Sequence, residues 1–337
     1  GTLLGSSVLV AEACTRVVYL GEDQQIITAR SMDWREDVGS DMWIFPRDMK
    51  RHGAGGANSL EWTSKYGSVI VSGYGVSTTD GVNEKGLVAN LLWLVESEYP
   101  INDGKRPALS IAAWAQYVLD NYATVDEAVK GLSEENFVVV TADVPGQGRL
   151  ATLHLSISDS SGDSAIIEYI DGKQVIHHNR AYQVMTNSPA FEKQLALDDY
   201  WQEIGGTTFL PGTNRAADRF ARASFYVNAV PQKRSANHAV ASMMGVIRNV
   251  SVPYGLAMED QPNISSTRWR TLVDHKRQLY FFDSAMSPNT FWVDLKKVDF
   301  KPGSAKVLKL GPEQSTTYAG EVSASFVDHK PFEFLGL

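Results

Sequence analysis

Short apolar runs rich in β-branched residues, separated by small polar clusters, open the chain. Residues 17–20 and 26–34 flank Gly21-Glu22-Asp23, a pattern that predicts a β-hairpin. Further strands are expected at 42–45, 68–72 and 87–94. The period then changes. Ile111, Ala115, Val118, Leu119 and Tyr122 recur at helical spacing, and Thr124-Val125-Asp126-Glu127 opens a second short helix with Thr124 as N-cap. A second strand series follows at 137–141, 150–157, 164–169, 173–177 and 182–185. Helices return at 191–204, 216–227 and 236–246, and strands at 272–273, 278–282 and 290–294 close the pattern.

Strand runs followed by helix groups, without strict βαβ alternation, point to an α/β (α+β) body with two sheets and helices segregated on their outer faces. No Pro- or Ser-rich linker, repeat or charge run divides 14–337, which reads as one domain. With 43% hydrophobic residues in 337, a sizeable core can form. The 31 Lys and Arg against 39 Asp and Glu leave a net charge of −8, which argues against nucleic acid or an anionic membrane surface as partner. One cysteine excludes an intramolecular disulfide and a cysteine-rich zinc site.

Residues 1–13, GTLLGSSVLVAEA, read differently from the rest. They are uncharged before Glu12, apolar over 3–10, and end in Ala11-Glu12-Ala13 directly before Cys14. Small residues at −3 and −1 fit a signal-peptidase site, whereas a lipoprotein junction prefers Leu at −3 and a small residue at −2. Cleavage after Ala13 without lipidation is therefore expected. The alternative is that 3–10 forms a first strand and Cys14 is an ordinary buried apolar residue. No other segment approaches 18 uncharged apolar residues, so no membrane span is expected in the mature chain.

Several familiar chemistries lack their signatures. The glycine clusters 53–56 and 73–75 are not followed by Gly-Lys-Ser/Thr and read as turns. H-E-x-x-H, G-x-S-x-G and S-x-x-K are absent. His177 and His178, adjacent on a strand, point to opposite faces and should not share a metal. Cys14 offers more. Once Ala13 is removed, it carries a thiol with a pKa of about 8.5 and an α-amine of about 7.7 to 8.0 on one residue. The amine can take the thiol proton, so the residue supplies its own base and needs no histidine. The hairpin returns Arg30 toward the N-terminus. Asp33 is three residues on, so both reach the site only if a twist or bulge lies between them.

Four blocks, in order behind Cys14, resemble the choloylglycine hydrolases, the penicillin V acylases and bile salt hydrolases of the N-terminal nucleophile (Ntn) superfamily. Ala29-Arg30-Ser31-Met32-Asp33-Trp34 is similar to the family's A-R-T-M-D-F, and 80–87 to D-G-x-N-E-K-G-L. Met185-Thr186-Asn187-Ser188-Pro189 is similar to L-T-N-S-P. Leu210-Pro211-Gly212 with 218–223 resembles L-P-G followed by S-R-F-x-R-A, Asp218 replacing the usual small polar residue.

The resemblance implies a four-layer αββα sandwich of two mainly antiparallel sheets. It also implies roles. Cys14 would be nucleophile and, through its amine, base. Asp33 would orient the amine and Arg30 favour the thiolate. Asn187 and the backbone N–H of Trp93, where the family has Tyr or Asn, would form the oxyanion hole. Arg219, rather than Arg222, would balance the site's charge. The implied reaction is amide hydrolysis through a thioester, with no metal or organic cofactor. Trp34 and Trp93 are candidate pocket walls for an aromatic or alkyl acyl group. Trp93 and the export signal favour a Gram-negative periplasmic penicillin V acylase, with acyl-homoserine lactones as further substrates. Bile salt hydrolysis is the alternative, and a non-catalytic periplasmic binding protein the alternative of another class. The resemblance also implies a homo-oligomer, since the family often forms tetramers. An uncleaved chain, its Cys14 amine held in a peptide bond and residues 1–13 near the site, should have little activity.

Overall fold

A computed structural model describes residues 13–259, 264–311 and 316–337, so residues 1–12, with the signal-like stretch, lie outside it. Two large sheets dominate. The first runs, in spatial order, Val184–Met185, Thr15–Leu20, Ile26–Trp34, Ser266–Asp274, Leu279–Ser284, Thr290–Asp294 and Gly320–Glu321. The second has nine strands, with Leu153–Ser158, Val88–Trp93, Ser77–Asn83, Ser68–Gly73 and Met42–Phe45 as its centre. Among the described residues of these sheets, only Thr290–Asp294 and Gly320–Glu321 pair in parallel.

Helices cover both outer faces, as expected. Helix α1 (Ile111–Asn121) and α2 (Val125–Ser133) pack on the nine-stranded sheet through Trp114, Val118 and Leu132. The remaining helices, α3 (Phe191–Ile204), α4 (Ala216–Ala229) and α5 (Ala236–Asn249), lie toward the other sheet, α4 and α5 directly against it through Phe220, Ala223, Met243 and Ile247. Strand Ser68–Gly73, between the two layers, is consequently apolar on both faces over 69–71. Val69 and Val71 meet the opposing sheet while Ile70 meets α1. Thr124 caps α2 by accepting the Glu127 N–H at 3.2 Å.

The 26–34, 42–45 and 290–294 expectations match strands residue for residue. Strand Ser77–Asn83 was not expected, because Ser-Thr-Thr-Asp-Gly lacks any apolar alternation. The 272–273 expectation is the end of a nine-residue strand, Ser266–Asp274, whose first half carries Arg268 and Arg270. Short strands at Lys50–His52, Glu61–Thr63, Ala108–Ser110 and Lys306–Leu308 were likewise unread.

One irregularity positions the site. Strands Ser77–Asn83 and Val88–Trp93 pair only at Asp80↔Asn90, Gly81↔Ala89 and Val82↔Val88. A register shift opposite Val71 and Ser72 makes Thr79 an extra residue and bends the first strand away. Residues 77–79 and 91–93 therefore part, and the fully buried Arg30 enters the gap from the other sheet. Its guanidinium donates to Thr79 O (2.9 Å), Leu91 O (2.6 Å) and Asp80 Oδ1 (3.1 Å), satisfying carbonyls that lost their strand partners. Asp80 is also held by Asn90 Nδ2 (2.5 Å) and the Tyr280 hydroxyl. Asn83, farther along that strand, donates to the Leu119 and Tyr122 carbonyls at the end of α1 (2.8 and 2.7 Å).

Candidate active site

Cys14 precedes the first strand of the hairpin, whose register pairs Thr15 with Ser31 and Arg16 with Arg30. This puts the Cys14 thiol beside residues 32 and 33. Its sulfur accepts the Asp33 N–H at 3.4 Å and lies 3.7 Å from the Asp33 carbonyl oxygen. Burial pushes the thiol above its ordinary range, Asp33 adds to this, and Arg30 and Arg219 oppose it without reversing it. The register shift opposite Met32 and Asp33 lies in the neighbouring strand, between Thr267 and Trp269, and does not bring Arg30 and Asp33 to one face. Arg30, Met32 and Trp34 line a cavity on the side of the second sheet, whereas Ser31 and Asp33 face the other way, and Cys14 at the strand's start is reached from both.

The Cys14 N–H, here a peptide group, donates to Asn187 Oδ1 at 2.7 Å, and not to the Asp33 carboxylate. Asn187 Oδ1 also accepts Arg219 Nη2 (2.9 Å), and its Nδ2 donates to Trp93 O (2.7 Å). A side-chain amide has two N–H groups, so one remains to meet a ligand. Leu94 N donates to Thr152 O, which makes Trp93 and Leu153 a non-hydrogen-bonded pair and turns the Trp93 N–H toward the gap between the parted strands. The two expected oxyanion donors thus belong to directly bonded residues.

Arg219, on α4 and fully buried, donates to Cys14 O and Thr15 Oγ1, both at 2.7 Å. Arg222 is three residues on and turned away, donating to Pro211 O (2.7 Å) and Thr213 O (2.8 Å). Of the two arginines, the geometry brings Arg219 to Cys14. Asp33 accepts Thr267 Oγ1–H at 2.5 Å through Oδ1, while its buried Oδ2 has no hydrogen-bond partner among the described residues. Burial pushes the Asp33 carboxyl up to about 6, against the pull of Arg219, Thr267, Arg270 and Arg30.

Behind Asn187, buried His154 bonds Thr186 O through Nε2 (2.8 Å) and Glu168 Oε2 through Nδ1 (2.9 Å). Burial alone would raise Glu168, but the bonds from His154 and His177 outweigh it and hold the carboxyl at about 2. Glu168 also accepts the Phe191 N–H, so this pair fixes both ends of the turn that presents Asn187. His178 instead bonds Asp163 (2.7 Å), on the other face from His177.

An apolar cavity opens at Cys14, lined by Arg30, Met32, Trp34, Trp93 and Val144 among others. Trp34 and Trp93 form one wall, their rings 5.4 Å apart. Trp34 Nε1 donates to Tyr74 OH at 2.6 Å, and the Arg149 guanidinium stacks 4.5 Å from the Trp93 ring centre. Sequence reading missed Thr267, Thr15, His154 and Glu168, single polar residues outside any motif. Asp80 lay in a recognisable block but read as part of a turn.

Among the described residues no helix is long and apolar enough to cross a membrane. The chain is 61% identical to a penicillin V acylase of Pectobacterium atrosepticum, over 99% of this chain and 94% of that protein. It superposes with a TM-score of 0.90 on the structure of a penicillin V acylase from Agrobacterium tumefaciens, at 64% identity, covering 96% of this chain and all of that one. A conjugated bile acid hydrolase from Clostridium perfringens shares the fold, with a TM-score of 0.75 at 22% identity over 90% of this chain and 99% of that one. Residues 14–308 match the family described as linear amide C–N hydrolases, choloylglycine hydrolase family. With the sandwich fold and a buried cysteine at the start of the matched region, the chain belongs to the choloylglycine hydrolase family of linear amide hydrolases.

Proposed function

We propose that the chain is a penicillin V acylase whose nucleophile is Cys14, freed as an N-terminal residue by cleavage after Ala13. The observation that carries the mechanism is the Asn187 amide, which bonds Cys14 N on one side and Trp93 O on the other. It leaves one Asn187 N–H and the Trp93 N–H as the oxyanion donors of this reading. The names of the relatives at 61% and 64% identity support the substrate class.

In the cleaved chain the α-amine takes the thiol proton, and the thiolate attacks the amide carbonyl. The oxyanion is held by Asn187 and the Trp93 N–H, each preorganised donor contributing about 10²–10³ in rate. The resulting ammonium protonates the leaving nitrogen as the C–N bond breaks, giving a thioester and a free amine. The α-amine then deprotonates a water, which attacks the thioester, releasing the acid and restoring the thiol. Asp33 Oδ2, without a partner among the described residues, accepts from the ammonium. Arg30 and Arg219 offset the thiolate's charge. Trp34 and Trp93 hold the acyl group, and residues 14–337 act as one domain.

The test is a panel of penicillin V, a glycine-conjugated bile salt and an acyl-homoserine lactone, given to protein whose intact mass lacks residues 1–13. Penicillin V turnover is expected to lead the panel, with the acyl-homoserine lactone second, because its chain suits the apolar cavity. Preference for the bile salt would overturn the assignment. The apolar 3–10 stretch and the Ala-Glu-Ala junction support export to the periplasm, and the family analogy supports a homo-oligomer.

Thr267→Val removes the hydrogen bond to Asp33 and should push that carboxyl higher still. The acidic limb of the kcat/KM–pH profile is expected to move to higher pH, and Thr267→Ser to restore it. An unmoved limb in Thr267→Val would separate Asp33 from the reaction.

A further inference from the structure

The cavity does not end at the tryptophans. It passes between the parted strands, past Val76, Thr79 and Leu91, to Ile111 and Ala112 at the start of α1. There its lining includes Leu335, two residues from the end of the sequence and beyond the matched 14–308 region. The tail that carries Leu335 is tied down at three points. Leu335 N donates to Val76 O (2.9 Å), Ser110 Oγ donates to Leu335 O (2.5 Å), and Leu337 N donates to Ala54 O (3.0 Å). Phe332 and Phe334 pack against the core beside α1, with Phe332 also meeting Trp43 edge-on and Phe45 at a tilt, at ring separations of 5.5 and 5.8 Å. Gly336 lies so close to residue 54 that a Cβ there would sit 1.8 Å from the Ala54 oxygen.

We propose that this C-terminal tail is the floor of the acyl site and that Leu335 sets the length of acyl group the enzyme accepts. The proposal rests on the reading that the acyl group of the amide enters the cavity at Cys14. Three observations converge on it. The wall from the thiol to Leu335 is chiefly apolar, which suits an alkyl or aryl acyl group and not its amine. The passage exists because Arg30 replaces the missing strand pairing, so it is a built opening between the sheet and the helix layer. The tail is fixed by hydrogen bonds of the Leu335 backbone to both sides of that opening, at Val76 O and at the Ser110 hydroxyl that caps α1, which gives Leu335 a defined position.

The experiment measures kcat/KM on cleaved enzyme for straight-chain N-acyl amides of one common amine, from butanoyl to tetradecanoyl. Leu335→Trp should lower the ratio of long-chain to short-chain kcat/KM at least about tenfold, because each methylene excluded from an apolar pocket weakens binding several-fold. Leu335→Gly should move the ratio the other way. Gly336→Ala, which the Ala54 contact cannot accommodate without displacing the tail, should also shift the optimum toward longer chains. Chain-length profiles that superimpose on wild type in Leu335→Trp and Gly336→Ala, with wild-type melting temperatures, would overturn the proposal. A wild-type enzyme inactive on every acyl length would overturn the acyl-site reading itself, and the tail's role with it.

Discussion

Alanine at position 14 is expected to lower amide turnover about 10⁴–10⁶-fold, the range seen when a covalent nucleophile is removed from a site that keeps its oxyanion donors. Cys14 is the only thiol in the chain, and the Asn187 and Trp93 donors alone do not supply an attacking group. Stability should change little. The sulfur's contacts with Asp33 are long, at 3.4 and 3.7 Å, and the side chain is small, so the variant should melt within a few degrees of wild type. Comparing progress curves and thermal melts on cleaved protein separates the two effects. Activity within tenfold of wild type would place the chemistry elsewhere. Intact-mass alkylation gives a second readout. While Cys14 is peptide-bound, burial keeps its thiol protonated, so iodoacetamide should label the uncleaved chain slowly and the cleaved chain quickly.

Much of this site was legible because it sits in short runs whose spacing is enforced by a hairpin. The register Thr15↔Ser31 follows from a turn at Gly21 and two β-branched arms, and it alone delivers residues 32 and 33 to Cys14. The choice between Arg219 and Arg222 was not readable from spacing, since residues three apart share a helix face; it is the contacts of each guanidinium that separate them. Nor was the relation of Arg30 to Asp33 readable. Strand alternation is local knowledge, and it correctly put them on opposite faces. What it lacked was that the thiol stands at the strand's start, where both faces are in reach. Strand Ser77–Asn83 escaped for a different reason. Its polar sequence is stabilised by Arg30 and Tyr280 binding Asp80 from the other sheet, contacts far apart in the chain. The cavity's passage and Leu335 at its far end depend on that same departure from regular pairing, so neither had a sequence signal.

Asp33→Asn is expected to make the uncleaved protein more stable and the cleaved enzyme far less active. The carboxyl has an ordinary pKa of 3.8 and is raised to about 6 in the folded chain, first by burial. Between those values the folded state holds a proton that the unfolded state has released, so stability from this group falls as pH rises through the window. At neutral pH the ionised group costs about 3 kcal/mol relative to its neutral form, the free-energy equivalent of that shift. A neutral isostere keeps the Thr267 bond and avoids the cost. Calorimetry of the uncleaved chain should therefore show Asp33→Asn melting several degrees above wild type at about pH 7, with the gap closing near pH 4. Cleavage reverses the sign. An ammonium beside Oδ2 stabilises the carboxylate, lowers its pKa and returns stability to the wild type alone. The neutral amide of the variant leaves the amine without its charged acceptor, and kcat falls by about 10² or more. A variant that is destabilised equally at both pH values would show that Asp33 is a structural partner of Arg219, not a strained carboxylate awaiting the amine. A carboxylate kept where it weakens the uncleaved fold is instead what a site selected for its chemistry after cleavage predicts.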